Sequence, residues 1–175
     1  ELERSGGRYG LITLCIGAGI TFSDPLVTDA LGASVDFYWI DTEHSALSAE
    51  TVGRHLIAAR ACAVPALVRV PIGAIEFIKP VLDVGADGVI IPQVYGVDDV
   101  RRAIDACRYP PLGHRGFGPR VPGRYGRATG EGYLARANRD VFVAVQIETA
   151  EALADVEAIA ALPGLDSLAL GPWDL

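Results

Sequence analysis

The chain predicts an α/β fold organised on a parallel sheet, and three observations predict it. Short apolar runs alternate with stretches of helical periodicity, as in successive strand–helix units. Most of these runs are continuously apolar rather than alternating in and out, the pattern of strands covered on both faces. Their starts recur about every 22 to 31 residues, apart from one gap of about 50. With 175 residues, half of them hydrophobic, the chain supports one sizeable core, so a single catalytic domain over 1–175 is expected.

Taken in order, the expected strands are Tyr9–Ile16, Val35–Ile40, Ala66–Val70, Gly88–Pro92, Val141–Ile147 and Ser167–Leu170. Ser48 is placed to cap a helix running through Arg60, with Val52, Leu56 and Ala59 on one face. Pro80 within Ile75–Val84 requires a kink or a helix that starts close by. Val97–Cys107 repeats Val100, Ala103, Ile104 and Cys107 at helical spacing. Thr149–Leu162 does the same with Leu153, Val156 and Ala160, and stops at Pro163-Gly164. The long gap holds Tyr109–Pro119 and continues to Gly132, rich in Gly, Pro and Arg, so an ordered functional loop or lid is expected there. Its Arg115, Arg120, Arg124 and Arg127 either select an acidic substrate tail or are simply solvated.

Six such strands suit a doubly wound sheet or part of a (β/α)8 barrel. No G-x-G-x-x-G follows the first strand, and Gly17-Ala18-Gly19 reads as a turn, which weighs against a dinucleotide fold. A barrel ending at Leu175 would have open edges, so roughly two further βα units are expected beyond it.

Several function classes are disfavoured. A net charge of −7 opposes general nucleic-acid affinity, which needs a basic face. No apolar run reaches the roughly 18 residues that span a bilayer, and the start lacks the features of a signal peptide, so a cytoplasmic protein is expected. Cys15, Cys62 and Cys107 are odd in number and widely spaced, which reads as buried free thiols. The sequence contains no Met, so a trimmed start or a longer gene product is expected.

The chemistry gathers at strand ends. Gln146-Ile147-Glu148-Thr149 and Gly171-Pro172-Trp173-Asp174 each bring a carboxylate to the end of an apolar run. Two such acids suit a hard divalent cation with oxygen ligands; the alternative is that Glu148 caps a helix and Asp174 opens a loop. Asp41, three residues before His44, either holds the imidazole in one tautomer or caps a local turn. Glu43 faces outward or pairs with Arg69. Arg69, emerging from an apolar strand, needs an anionic partner: one of the acids, or a substrate carboxylate or enolate. Asp83 and Asp87 read as helix-end and turn residues, and Gln93 completes the rim set. The sole lysine, Lys79, falls in a helical stretch, which disfavours a Schiff base.

In the segments DFYWIDTEHSALS (36–48), ALVRVP (66–71), IKPVLDVGADGVIIPQV (78–94), RYPPLGHRGFGP (108–119), VQIETAEAL (145–153) and GPWDL (171–175), the chain resembles the HpcH/HpaI aldolase/citrate lyase family. The resemblance implies a (β/α)8 TIM barrel of the phosphoenolpyruvate/pyruvate-domain type, assembled as a hexamer (a trimer of dimers). It implies a class II aldolase that cleaves a 4-hydroxy-2-oxo acid to pyruvate and an aldehyde through a pyruvate enolate, with Mg²⁺, Mn²⁺ or Co²⁺. On matching positions, Glu148 and Asp174 resemble the metal ligands and Arg69 the contact to the pyruvate oxygens. His44 with Asp41 resembles the base dyad, and Asp83 an acid near a neighbouring subunit's site. Gln146, Gly171 and Pro172 resemble substrate-side contacts. Thr42, Trp173, Gln93 and a longer loop over Gly17–Asp24 depart from the pattern and leave the aldehyde open. The same residues also suit a decarboxylase acting on oxaloacetate, like macrophomate synthase. A citrate-lyase-type acyl-CoA enzyme lacks a basic nucleotide patch here, and a non-catalytic subunit that binds metal and pyruvate is the remaining alternative.

Overall fold

A computed structural model describes residues 15–175. The six strands are β1 (Gly17–Ile20), β2 (Phe37–Asp41), β3 (Ala66–Arg69), β4 (Gly88–Ile91), β5 (Phe142–Ile147) and β6 (Ser167–Leu170), all parallel, in the spatial order β1-β2-β3-β4-β5-β6. That order is decisive. A doubly wound sheet reverses its winding at a switch point, whereas a barrel advances strand by strand in one direction. The structure is therefore α/β with the winding of a (β/α)8 barrel.

Helices α1 (Leu26–Leu31), α2 (Ala49–Ala61), α3 (Ile78–Asp83), α4 (Val97–Cys107), α5 (Glu131–Asp140), α6 (Ala150–Ala154) and α7 (Val156–Ala160) carry the returns. Ser48 caps α2 by accepting a hydrogen bond from the Thr51 N–H at 3.2 Å, a contact worth about 1 kcal/mol. Pro80 sits in the first turn of α3, where its missing N–H costs nothing. The helix expected over Thr149–Leu162 is instead interrupted at Asp155 (φ −96°, ψ 9°). The core lies between sheet and helices: Ile20, Tyr38, Ile40, Val68, Val89, Val143 and Val145 are fully buried, each such side chain contributing roughly 1.5–3 kcal/mol.

Two expectations near the start are corrected. Most of Tyr9–Ile16 lies outside the described residues, and Gly17-Ala18-Gly19 is strand rather than turn, paired in register with Phe37-Tyr38-Trp39. A Cβ at Gly17 would collide with the Phe37 ring, so glycine lets that ring lie over the strand. Cys15 precedes β1 and is exposed rather than buried, while Cys62 is partly buried and Cys107 fully. Burial pushes the Cys107 thiol up to about 12, which leaves it inert.

The expected lid is also corrected. Helix α4 has already returned the chain to the N-terminal end of the sheet, and β5 starts from that same end. The loop between them therefore packs there, with the Arg120 and Val121 N–H groups donating to the Asp83 carbonyl at the end of α3. It does not cover this chain's own C-terminal rim, and its arginines cannot select a substrate tail there.

Candidate active site

The rim is built from the ends of β2, β3, β4 and β5. Asp41 and Arg69 face each other in the β2–β3 register, which explains their pairing. Arg69 Nη2 donates to Asp41 Oδ2 at 2.6 Å and Nε to Oδ1 at 3.0 Å, a two-pronged contact. Arg69 Nη1 donates to Gln146 Oε1 at 3.2 Å, and Gln146 Nε2 donates to Glu148 Oε2 at 3.0 Å. The other Glu148 oxygen accepts the Gln93 N–H at 2.6 Å. Gln93 adopts a left-handed backbone (φ 45°), an uncommon conformation that a side chain tolerates where the surroundings enforce it. Trp39 lies beneath the guanidinium, 5.5 Å from ring centroid to Arg69 Cζ.

Glu43 completes the cluster. Its Oε2 lies 3.0 Å from Arg69 Nη1, yet that oxygen is buried without a hydrogen bond, because the guanidinium N–H groups aim at Asp41 and Gln146. Burial, reinforced by the charges of Glu148 and Asp41, raises the Glu43 carboxyl above its usual range against the pull of Arg69 and His44. Burial also pushes the Asp41 carboxyl up, but hydrogen bonds from Arg69 and from the His44 and Glu43 N–H groups outweigh it and hold it low. Two buried carboxylates thus share one guanidinium, and a third, Glu148, is tied to it through Gln146.

The base dyad does not form as expected. Asp41 accepts the backbone N–H groups of Glu43 (2.9 Å) and His44 (3.2 Å), so its oxygens are committed to Arg69 and a local turn. The His44 side chain is 66% exposed, with Nε2 lying 3.7 Å from Glu43 Oε2. A bidentate guanidinium outbids a single imidazole N–H for the same carboxylate. Glu43 was open in the sequence because a loop residue can face either way; only the position of Arg69 decides it.

Glu148 is buried, and the β5–β6 register sets Gly171 next to it. A Cβ on Gly171 would come within 2.5 Å of Glu148 Oε2. Pro172 and Asp174 are exposed just beyond, the Asp174 N–H donating to the Gly171 carbonyl at 3.3 Å. Among the described residues no group of three or more His, Cys, Asp or Glu is close enough to hold a metal ion. Asp83 stands apart from the rim, at the opposite end of the sheet, paired with Arg115 and Lys79 at 2.7 Å each. Lys79 is thereby accounted for away from the site. No described helix is long and apolar enough to cross a membrane.

Comparison with known proteins places the chain in a family. Residues 21–175 match the family described as HpcH/HpaI aldolase/citrate lyase. The chain is 38% identical over 162 residues to 2-dehydro-3,6-dideoxy-6-sulfogluconate aldolase of Pseudomonas putida, covering 91% of this chain and 63% of that protein. It is 37% identical over 164 residues to 4-hydroxy-2-oxovalerate aldolase of Novosphingobium aromaticivorans, covering 91% and 61%. The crystal structure of macrophomate synthase superposes with a TM-score of 0.81 at 32% identity, covering 91% of this chain and 56% of that one. The chain thus spans less than two thirds of the length of each of these.

Proposed function

From the premise that the chain belongs to the HpcH/HpaI aldolase/citrate lyase family, an aldolase-type carbon–carbon lyase family, we propose that the protein cleaves a 4-hydroxy-2-oxo acid reversibly to pyruvate and an aldehyde. The single observation that carries this reading is the rim network in which Arg69 faces Asp41 and Glu43 and is linked through Gln146 to Glu148. Asp41 and Glu43 are committed to Arg69, which leaves Glu148 as the cluster's oxygen donor for a hard divalent cation. Each Glu148 oxygen accepts one hydrogen bond and keeps a lone pair for a further ligand. Glu148 would hold the ion together with Asp174, the preferred cation being Mg²⁺, Mn²⁺ or Co²⁺. When bound, it supplies Lewis acidity to a carbonyl that the substrate presents.

The chain's own groups do the rest. Arg69, held rigid from both sides by Asp41 and Gln146, presents a fixed positive charge to the oxygen where the enolate develops, an effect commonly worth several kcal/mol. Gln146 is positioned beside it as a hydrogen-bonding partner for substrate, with the Gly171-Pro172 backbone flanking the keto acid. His44, exposed at the rim, takes the 4-hydroxyl proton and returns it in the synthetic direction. Asp83 acts, on this reading, toward the site of a second copy in a hexamer.

Assaying pyruvate release from 4-hydroxy-2-oxo acids with and without Mg²⁺, Mn²⁺ or Co²⁺ tests the proposal. Metal-dependent cleavage is expected; a covalent adduct trapped by borohydride with pyruvate contradicts it. The likeness to macrophomate synthase favours a second reading, decarboxylation of oxaloacetate, recognised by metal-dependent CO₂ release without aldehyde.

A further inference from the structure

A cavity of about 600 Å³ lies at the N-terminal end of the sheet, away from the rim. Asp87 and Val141, which immediately precede β4 and β5, line it, as does the strained turn of the long loop. Arg60, Arg115, Arg124, Arg127 and Arg136 also line it, against the carboxylates of Asp87 and Asp140 alone. A third of the chain's 15 basic side chains therefore gathers at one cavity in a protein of net charge −7.

Two carboxylates cannot balance five guanidinium groups, although the Arg60 charge acts on Asp87. Asp87 Oδ2 is occupied by the Ala66 N–H at 2.9 Å, and Asp140 pairs with Arg139 at 2.8 Å. Among the described residues, Arg60, Arg124, Arg127 and Arg136 have no ion-pair partner, while Arg115 pairs with Asp83. Two further groups are unspent. Arg115 is 94% buried and Tyr133 96% buried, yet Arg115 Nε and the Tyr133 hydroxyl have no hydrogen-bond partner. Burying donors without acceptors is costly, and both residues line the cavity. Arg124 and Tyr125 moreover hold left-handed backbones (φ 48° and 54°). Side chains pay for that conformation, and such strain clusters at binding sites.

We propose that this cavity is a second ligand site, for a phosphate group, at the opposite end of the sheet from this chain's own rim. Guanidinium forks match the spacing of phosphate oxygens, and the unspent Arg115 and Tyr133 donors require acceptors. The phosphate comes either as the free anion or as the ester of a metabolite.

The test uses the full-length protein and titrates inorganic phosphate and glycerol 3-phosphate by calorimetry at constant ionic strength. The wild type is compared with an Arg127→Ala/Arg136→Ala double variant, both positions being exposed, with its Lys/Lys counterpart, and with Arg69→Gln at the rim. Saturable binding is expected in at least one arm, weakened at least about tenfold by the Ala pair, less severely by the Lys pair, which keeps the charge but loses the fork, and unchanged by Arg69→Gln. Tighter binding of the ester assigns the site to a phosphorylated metabolite; tighter binding of the inorganic ion assigns it to the free anion. No saturable binding in either arm, or binding lost in Arg69→Gln and kept in the Ala pair, overturns the proposal.

Discussion

At the C-terminal rim one guanidinium faces Asp41 and Glu43 and reaches Glu148 through Gln146, whereas at the opposite end five arginines line a cavity with two carboxylates. One sheet thus separates two charge imbalances of opposite sign. A buried group without its counter-charge is costly, which bears on the rim carboxylates and on Arg115; on the readings proposed above, a cation answers the first and an anion the second. The ends also differ in how their side chains are held. Rim side chains interlock through Asp41, Arg69, Gln146 and Glu148, while the base arginines, apart from Arg115, are exposed, with Arg136 over the Tyr133 ring.

The largest effect should follow from breaking the rim's one cation. Arg69→Lys keeps a charge but loses the fork that holds Asp41 and Gln146 together. Pyruvate-forming activity should fall by about 10²–10³-fold, with the circular dichroism spectrum unchanged; activity within a few-fold of wild type would mean that the guanidinium only balances charge. Next comes Gly171→Ala, whose Cβ would press on the Glu148 carboxylate. A shift of this kind costs up to about 10² in rate, and it should weaken Mn²⁺ binding in parallel, which electron paramagnetic resonance can follow.

Smaller effects sharpen the contrast between the ends. The Arg127→Ala/Arg136→Ala pair should leave rim catalysis within about twofold, since exposed substitutions away from a site rarely exceed 0.5 kcal/mol or so. Steady-state kinetics checks it. The pH dependence of stability separates the rim from the helical layer. His55 is fully buried in α2, with Nδ1 bonded to Thr28 Oγ1 and Nε2 to the Phe22 carbonyl, each at 2.8 Å. Burial holds its imidazole below the usual range against the Phe22 carbonyl and the Asp24 charge. The neutral form is therefore favoured in the fold, so this contribution is present above the ordinary histidine value of about 6.5 and is lost as pH falls below it. Asp41 is held low instead, so its contribution survives to about 3.9 and is lost only below. Urea midpoints should begin to fall below about pH 6.5, and His55→Gln should remove that first step while leaving the acid one.

Much of this was legible in the sequence because continuous apolar runs leave few ways to be covered. Ala66–Arg69, Gly88–Ile91 and Ser167–Leu170 appear where their patterns place them. Strand β1 was not legible: Gly17 and Gly19 carry no strand preference, and pairing with β2 under the Phe37 ring makes them a strand. At the rim, Asp41, Arg69 and Glu148 were visible as polar residues closing apolar strands, and Gln146 only through the family resemblance. The partner of Asp41 was not, since spacing along the chain favours His44 while the neighbouring strand supplies Arg69. The end at which the arginine-rich loop lies was equally hidden, because it depends on where α4 leaves the chain.

The most direct measurement is exchange of the pyruvate methyl protons with deuterium in D₂O, made on metal-stripped full-length protein before and after adding Mg²⁺ or Mn²⁺. Exchange should arise only with the cation and vanish in Glu148→Gln. Exchange at full rate in the stripped protein, or retained in Glu148→Gln, contradicts the account of the rim.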